Sequence, residues 1–204
     1  MAELTDLTDK IKKYYAFTKH EARGFLIAIL IISFIVSFDK WGSGNIFDPA
    51  SGFFNFLAAL LIVALSVLVH DAGQRIWGLA IGYKIEFKMW TFGLILGLIA
   101  AFLNNGRIPY LWLILPGGFM IHHMAGHRLG WFRYGINYFG QAMVALAGPL
   151  FTLMLIILLK ILNSIVPSPI IGEAIKFNVI YLITNLLPIP PLDGSKMFFG
   201  SRMA

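Results

Sequence analysis

A group of polar side chains ends an uncharged run of the sequence near residue 70. The apolar residues 52–69 lead into His70-Asp71-Ala72-Gly73-Gln74-Arg75. On a helix, positions 70 and 74 lie one turn apart on the same face. Two histidines so placed can bind one zinc ion, and an acid at position 71 can then deprotonate a bound water. Asp71 is one methylene shorter than glutamate and Gln74 offers a neutral amide, so half of this metal-binding pattern is intact.

The same residues also have a structural interpretation. Asp71 precedes Arg75 by four positions, which is the favoured arrangement for an ion pair on a helix. Gln74 can donate or accept a hydrogen bond across a helix interface. The pattern by itself therefore leaves open whether this helix carries a metal site or a set of buried polar contacts.

Two further segments place polar residues in apolar surroundings. One contains Asn185 and Asp193 within Asn185-Leu186-Leu187-Pro188-Ile189-Pro190-Pro191-Leu192-Asp193-Gly194, and the other is His122-His123-Met124-Ala125-Gly126-His127. An ionisable residue inside a membrane span costs about 2.5–3.5 kcal/mol on insertion scales, which makes such residues functional candidates. Both segments therefore join residues 70–75 as candidate sites.

His123 and His127 are candidates for the metal ligand that is missing at position 74. They stand four residues apart, and Pro116-Gly117-Gly118 could turn their segment back toward His70. The alternative is an ordinary interfacial helix, because aromatic and cationic side chains collect at the level of the lipid headgroups. The neighbouring Arg128, Trp131 and Arg133 fit that alternative.

The composition indicates a membrane protein. Of the 204 residues, 58% are hydrophobic and only 13% are charged, whereas soluble domains have about a quarter of their residues charged. The absence of cysteine excludes disulfides and thiolate metal sites, so any metal must be held by His, Asp, Glu or amide oxygen. The net charge of +6 lies in short segments between apolar runs, which is typical of topology signals and gives no indication of a nucleic-acid partner.

We predict an all-α polytopic fold with about four full transmembrane helices and a short or re-entrant helical hairpin. An amphipathic cytosolic segment, 1–23, precedes a single membrane-embedded domain over 24–204. The predicted spans are 24–38, 52–69, 139–159 and 177–192, and the hairpin pieces are 89–103 and 108–121. These elements place the polar residues 70–75 and 185–194 at the ends of two spans.

The basic residues predict the orientation in the cell membrane. All but four of the 16 lysines and arginines fall in segments 1–23, 75–88, 122–137 and 193–204. The exceptions are Lys40, Arg107, Lys160 and Lys176. Since positively charged loops stay in the cytosol, we expect both termini of this multi-pass protein to be cytosolic.

A small interfacial β element is expected near residues 83–90. In Tyr83-Lys84-Ile85-Glu86-Phe87-Lys88-Met89, apolar and charged residues alternate strictly, which is the period of a half-buried strand. Such a strand could be an open edge that pairs with an extended peptide. An ordinary hairpin strand at the membrane face fits the pattern equally well.

The order of these motifs resembles the site-2 protease family of intramembrane metalloproteases, in particular its small prokaryotic members reduced to the membrane core. That family has His-Glu-x-x-His at the end of one span, then Ala-Gly-Pro, then Asn-x-x-Pro followed by Asp-Gly in a later span. This sequence offers residues 70–74, Ala147-Gly148-Pro149 and residues 185–194 in the same order. The resemblance covers roughly residues 52–200.

The resemblance implies zinc as a cofactor where the site is functional. It assigns metal-ligand roles to His70 and Asp193, and it aligns Asp71 with the general base and Gln74 with the second histidine ligand. Asn185 corresponds to a residue near the substrate or the oxyanion, and Thr152 stands where the family often has asparagine. The strand residues Ile85, Phe87 and Met89 correspond to a segment that holds the unfolded substrate.

Three functions follow as hypotheses. The two altered positions favour a pseudoprotease of reduced or no activity that binds transmembrane or membrane-proximal segments of other proteins within the lipid bilayer. An active intramembrane zinc endopeptidase with a rebuilt metal site is the alternative. A transporter or channel is a third, more distant interpretation, since buried His, Asp and Asn also mark ion pathways.

Overall fold

The computed structural model describes residues 2–43, 46–103, 114–123 and 138–200. Seven helices and four short strands occur in these residues, together with a single 3-10 turn at Phe38–Lys40. The helices are α1 Ala2–Tyr14, α2 Lys19–Ser37, α3 Pro49–Ala80, α4 Thr91–Leu103, α5 Tyr138–Ile165, α6 Pro169–Leu186 and α7 Asp193–Gly200. The strands are β1 Gly42–Ser43, β2 Ile46–Phe47, β3 Tyr83–Met89 and β4 Gly117–His123.

Among the described residues, three helical segments are long and apolar enough to cross a membrane. They are Lys19–Lys40, Pro49–Ala80 and Tyr138–Ile165, with 22, 32 and 28 residues. The outer faces of these helices carry large exposed apolar side chains, such as Leu61 on α3 and Leu158 on α5. Exposed apolar faces of this size suit a lipid environment, and the described part of the chain is accordingly that of a membrane protein.

A fourth full span is not confirmed. The prediction placed it at 177–192, whereas α6 runs over Pro169–Leu186. This helix begins earlier because Pro169 suits the first turn of a helix, and it ends at Leu186 because Leu187, which precedes Pro188, is extended. Its 18 residues include Glu173 and Lys176, so α6 is less apolar than the three membrane-length segments.

The second half of the predicted helical hairpin, 108–121, is wrong for the residues of it that the structure describes as a strand. Its first half is the helix α4, but residues 117–123 form β4, which pairs antiparallel with β3 in a register that joins Met89 to Gly117 and Tyr83 to His123. Pro116 lacks an amide hydrogen, and Gly117 has a φ of 150°, a conformation that glycine adopts readily. The predicted strand near 83–90 is confirmed, and the chain is mostly helical rather than all-α.

Side chains meet both outer edges of the β3–β4 sheet. The Phe87 amide donates to Glu21 Oε1 at 2.8 Å on the edge of β3. On the edge of β4, Lys196 Nζ donates to the Phe119 carbonyl at 2.6 Å. Because alternate residues of an antiparallel strand direct their backbone groups to opposite sides, these contacts occupy edge positions that a docking peptide would need. On one side β3 is paired with β4, as the hairpin interpretation predicts. On its other side the Phe87 amide is already bonded to Glu21.

Local signals fix where the helices of the bundle begin. Asp48 caps α3 by accepting from the amides of Ala50 and Ser51 at 3.1 and 3.3 Å. Thr18 and Glu21 form a reciprocal capping box at the start of α2. The predicted boundary at residue 23 therefore falls inside a helix, and the first turn of α2 belongs to the packed bundle.

Close packing between α3 and α5 holds the site region together. A side chain at Gly73 would lie 2.6 Å from the Phe151 ring, so the two helices approach at this level only because position 73 lacks a Cβ. The neighbouring core is formed by α2, α3, α4 and α6, and its buried members include Ile32, Val63, Val67 and Phe177. The rigid α3–α5 contact fixes the direction of the polar residues on the same turns.

Candidate functional site

Four helices contribute the polar residues of the candidate site. His70, Asp71 and Gln74 lie on α3, Thr152 on α5, Asn185 on α6, and Asp193 at the first position of α7. The turn before α7 is tied by the Leu192 amide, which donates to the Ile189 carbonyl at 2.8 Å. A Cβ at Gly194 would lie 2.2 Å from the Leu186 carbonyl oxygen. Glycine at position 194 therefore lets α7 fold back onto the end of α6.

The structure brings His70, Gln74 and Asp193 into one buried hydrogen-bonded group, called here the His70–Gln74–Asp193 cluster. His70 Nε2 lies 2.7 Å from Asp193 Oδ2. Gln74 Nε2 donates to the same oxygen at 2.8 Å and lies 3.3 Å from His70 Nε2. Each of the three residues is at most 5% exposed. One carboxylate oxygen is thus shared by an imidazole and an amide.

The other ring nitrogen of His70 is also engaged. Nδ1 lies 2.9 Å from Thr152 Oγ1, which in turn donates to the Gly148 carbonyl at 3.1 Å. Such a partner on the second nitrogen orients the imidazole ring. Sequence reasoning noted Thr152 only as a replacement for asparagine and did not foresee this contact. The available signal was its position three residues after Ala147-Gly148-Pro149.

Gly148 allows the His70 ring to lie against α5, because a Cβ at this position would be 2.4 Å from His70 Nε2. We expect Gly148→Ala to displace the ring and to lower the free energy of unfolding by about 1–3 kcal/mol, the usual cost of overpacking. Thermal unfolding in detergent measures this. Gly172→Ala on α6 is the matched control, since no atom lies within 4 Å of the added methyl. Equal loss in both variants would contradict the tight fit at Gly148.

Asp71 pairs with Arg75 rather than with the cluster. Arg75 Nε donates to Asp71 Oδ2 at 2.5 Å, and Arg75 Nη2 donates to Glu21 Oε1. All three charged residues are at most 3% exposed. The structural interpretation of residues 70–75 is therefore confirmed in both parts: the Asp71–Arg75 ion pair forms, and Gln74 bonds across a helix interface.

A small cavity is lined by residues of both polar groups, the His70–Gln74–Asp193 cluster and the Asp71–Arg75 pair. Its wall includes His70, Asp71, Gln74, Asn185 and Asp193 together with apolar side chains and the residues at the start of β4, Pro116-Gly117-Gly118. The space open to the centre of a water molecule is about 10 Å³, which is about the room needed for one water. Asn185 lies in this wall, but its Nδ2 donates to the Tyr181 carbonyl of its own helix at 2.8 Å.

Lys196 fastens α7 to the sheet next to Asp193. Its ammonium lies 3.3 Å from the centre of the Phe119 ring in addition to donating to the Phe119 carbonyl. Burial lowers the pKa of Lys196 to about 8, and the Asp193 carboxylate acts in the opposite direction. These contacts hold Asp193 between β4 and α3.

The donor set does not fit a catalytic zinc ion. Zinc needs three protein ligands and bonds nitrogen and oxygen at about 2.0–2.2 Å, which separates two tetrahedral ligand atoms by about 3.4 Å. His70 Nε2 and Asp193 Oδ2 are only 2.7 Å apart, and the third position supplies an amide that donates a hydrogen bond to Asp193 Oδ2. In the part of the chain that the structure describes, no group of three or more His, Cys, Asp or Glu side chains is arranged to hold a metal ion.

Of the two predicted replacement ligands, His123 is described by its backbone alone. The backbone of His123 pairs with Tyr83 at the end of β4 opposite to Gly117. Gly117 lines the cavity, and six residues of strand extend about 20 Å, so His123 is carried away from His70. His127 lies outside the described residues.

The strand residues predicted to contact substrate pack inside the protein. Ile85 is 2% exposed and belongs to an apolar cluster with Phe119 and Val144. The Phe87 ring stacks on Phe25 at 4.1 Å between ring centres. Met89 packs against the core formed by α2, α3, α4 and α6. A substrate role for these three side chains stays a prediction, and it would require them to leave these contacts.

One comparison with known proteins bears on the site. The chain is 27% identical over 190 residues to a Methanocaldococcus jannaschii protein named "putative zinc metalloprotease", and the aligned part covers 90% of this chain and 85% of that protein. No family model matches the chain, and no solved structure matches it. The chain is thus a membrane protein with a distant likeness to a protein named for zinc-protease chemistry.

Proposed function

We propose that this protein is a site-2-protease-like pseudoprotease that binds transmembrane or membrane-proximal segments of other proteins without hydrolysing them. Three observations support the family assignment. The motifs occur in the family's order, the structure joins the first and last of them at His70 and Asp193, and the distant relative is named for a zinc metalloprotease.

The observation that carries the inactive assignment is the bond from Gln74 Nε2 to Asp193 Oδ2. In a working centre, position 74 would donate a lone pair to the metal and Asp193 would do the same. Here the amide hydrogen of Gln74 is directed at the carboxylate, so the two residues satisfy each other. A hydrogen-bonded cluster therefore takes the place of the metal centre.

The position of Asp71 supports the same assignment. A general base must lie within hydrogen-bond reach of the water that it deprotonates. Asp71 lines the cavity, but its Oδ2 is held by Arg75, and only its Oδ1 is left without a hydrogen-bond partner among the described residues. The shorter side chain also retracts the carboxylate by more than about 1 Å relative to glutamate, and misplacement on that scale can cost about 100-fold in rate.

The predicted orientation places the site near the cytosolic face of the cell membrane. The start of α2, the end of α3 and the start of α7 meet through the Glu21–Arg75 and His70–Asp193 contacts. The Lys40–Glu173 ion pair joins the end of the first membrane-length segment to the start of α6. With both termini cytosolic, partner segments would reach the site from the cytosolic side of the bilayer.

Reconstitution into liposomes tests this function. The probe is a dye-labelled single-span peptide of leucine and alanine flanked by lysines, added with excess zinc. We expect energy transfer between the peptide and labelled protein, which reports binding, and no shorter product on a gel. The active-enzyme alternative predicts time-dependent cleavage that a chelator abolishes, and that result would overturn the proposal.

A further inference from the structure

Arg75 joins α3 to the start of α2, 54 residues away in the sequence, and to the segment that precedes α2. Its guanidinium donates to Asp71 one turn earlier on α3 and to Glu21 on α2. It also lies 4.3 Å from the centre of the Phe17 ring, in the segment between α1 and α2. At 1% exposure, this cation is buried by its two acids and its aromatic cover.

Glu21 is fixed independently of Arg75. Its Oε2 accepts from the Thr18 amide at 2.9 Å, and its Oε1 accepts from the Phe87 amide at 2.8 Å. The carboxylate is thus held by the capping box of α2 and by the edge of β3. Arg75 is therefore bonded to an acid, Glu21, that is itself held in place. Because Arg75 also binds Asp71, it holds the Asp71 carboxylate in place as well.

We infer that Arg75 and Glu21 are positioning residues that hold the acid at position 71 on the α2–β3 side of the cavity, separately from the loss of the ligand at position 74. This inference rests on the proposed function. It adds that the acid is restrained by residues outside the motif. Repairing the motif would therefore restore a set of metal ligands without freeing the acid.

The helix geometry explains why repair of the motif alone is insufficient. A glutamate at position 71 would keep the acid-first spacing of four residues to Arg75, which is the favoured arrangement for an ion pair. The guanidinium offers a planar fork that can bind two carboxylates at once. The longer acid would therefore remain bound to Arg75 as Asp71 is.

The test compares three variants of the purified chain in liposomes. The repaired variant carries Asp71→Glu and Gln74→His. The released variant adds Glu21→Gln and Arg75→Met, and the matched control instead adds Lys40→Met and Glu173→Gln, which removes the ion pair between α6 and the 3-10 turn. Zinc content and cleavage of the single-span peptide are measured for each. We expect similar zinc content in all three and cleavage about 100-fold faster in the released variant than in the other two.

A spectroscopic readout separates positioning from a structural role. The infrared carboxylate band of Asp71 is identified in the wild-type chain by its loss in Asp71→Asn. We expect Arg75→Lys to shift this band, because lysine lacks the fork that binds both acids, and we expect Lys40→Met to leave it unchanged. Should the released variant not fold, Arg75→Gln in the repaired variant replaces it. That variant removes the cation from the acid at position 71 and keeps an amide donor for Glu21, and we expect about tenfold faster cleavage.

Equal cleavage by the repaired and released variants would overturn the inference. A released variant that binds zinc but cleaves the peptide no faster than the repaired variant would do the same. An unshifted infrared band in Arg75→Lys would do the same. The proposed function would instead be contradicted by cleavage of the peptide by the wild-type chain, so the two failures are seen in different samples.

Discussion

Arg75→Met is expected to lower the free energy of unfolding by about 3–5 kcal/mol, the cost of removing one partner from a buried ion pair. The substitution keeps most of the side-chain volume but removes the cation that Glu21 and Asp71 share. Both carboxylates are buried and would face each other without a counter-charge. Unfolding in detergent, followed by circular dichroism against a denaturant, measures the loss.

Two controls make this result specific to the buried network. Glu21→Gln keeps an oxygen for the Phe87 amide and leaves the Asp71–Arg75 pair in place, so its loss should be smaller than that of Arg75→Met. Lys40→Met breaks the Lys40–Glu173 pair, in which the glutamate is 47% exposed. Ion pairs of that kind contribute about 0–1 kcal/mol. An Arg75→Met protein within about 1 kcal/mol of wild type would show that the network does not hold α2, α3 and β3 together.

Gln74→His is expected to convert the His70–Gln74–Asp193 cluster into a zinc site. Position 74 faces Asp193 at hydrogen-bond distance and lies one turn from His70, so a second imidazole would complete a set of two nitrogens and one carboxylate. Zinc should rise from less than about one-tenth to about one ion per chain. Zinc at about 1,000 times its dissociation constant should add about 4 kcal/mol to the stability of this variant.

Gln74→Met is the matched control for zinc uptake, because it has similar length and offers no nitrogen or oxygen. It should bind no zinc, and it should lose stability by leaving Asp193 without one of its two donors. Plasma emission analysis of the purified proteins gives the metal content. A Gln74→His protein without zinc would mean that His70 and Asp193 cannot separate enough to admit the ion.

The sequence predicts those elements of the fold that depend mainly on residues close together in the chain. Alternation over residues 83–89 predicts a strand, and the uncharged runs predict the three membrane-length helices. β4 could not be read in the same way, since a short apolar run suits a helix or a strand equally. Its pairing with β3 depends on residues about 30 positions away in the sequence.

The same distinction between local and distant contacts applies to the site. Spacing alone gives the Asp71–Arg75 pair, and it places His70 and Gln74 on one face of α3. The capping box at Thr18 is a local signal for the start of α2, but nothing near Glu21 indicates that its carboxylate meets Arg75 and Phe87. The sequence around Thr152 gives no indication of its contact with His70 either, because this contact depends on how closely Gly148 lets α5 approach α3.

The zinc content of the wild-type chain, measured after incubation with excess zinc and removal of free metal, tests the central claim most directly. An amide that donates to Asp193 leaves only two metal ligands, and catalytic zinc needs three. We predict less than about one-tenth of an ion per chain. Close to one tightly bound zinc per chain, lost in His70→Ala and in Asp193→Ala, would contradict the account.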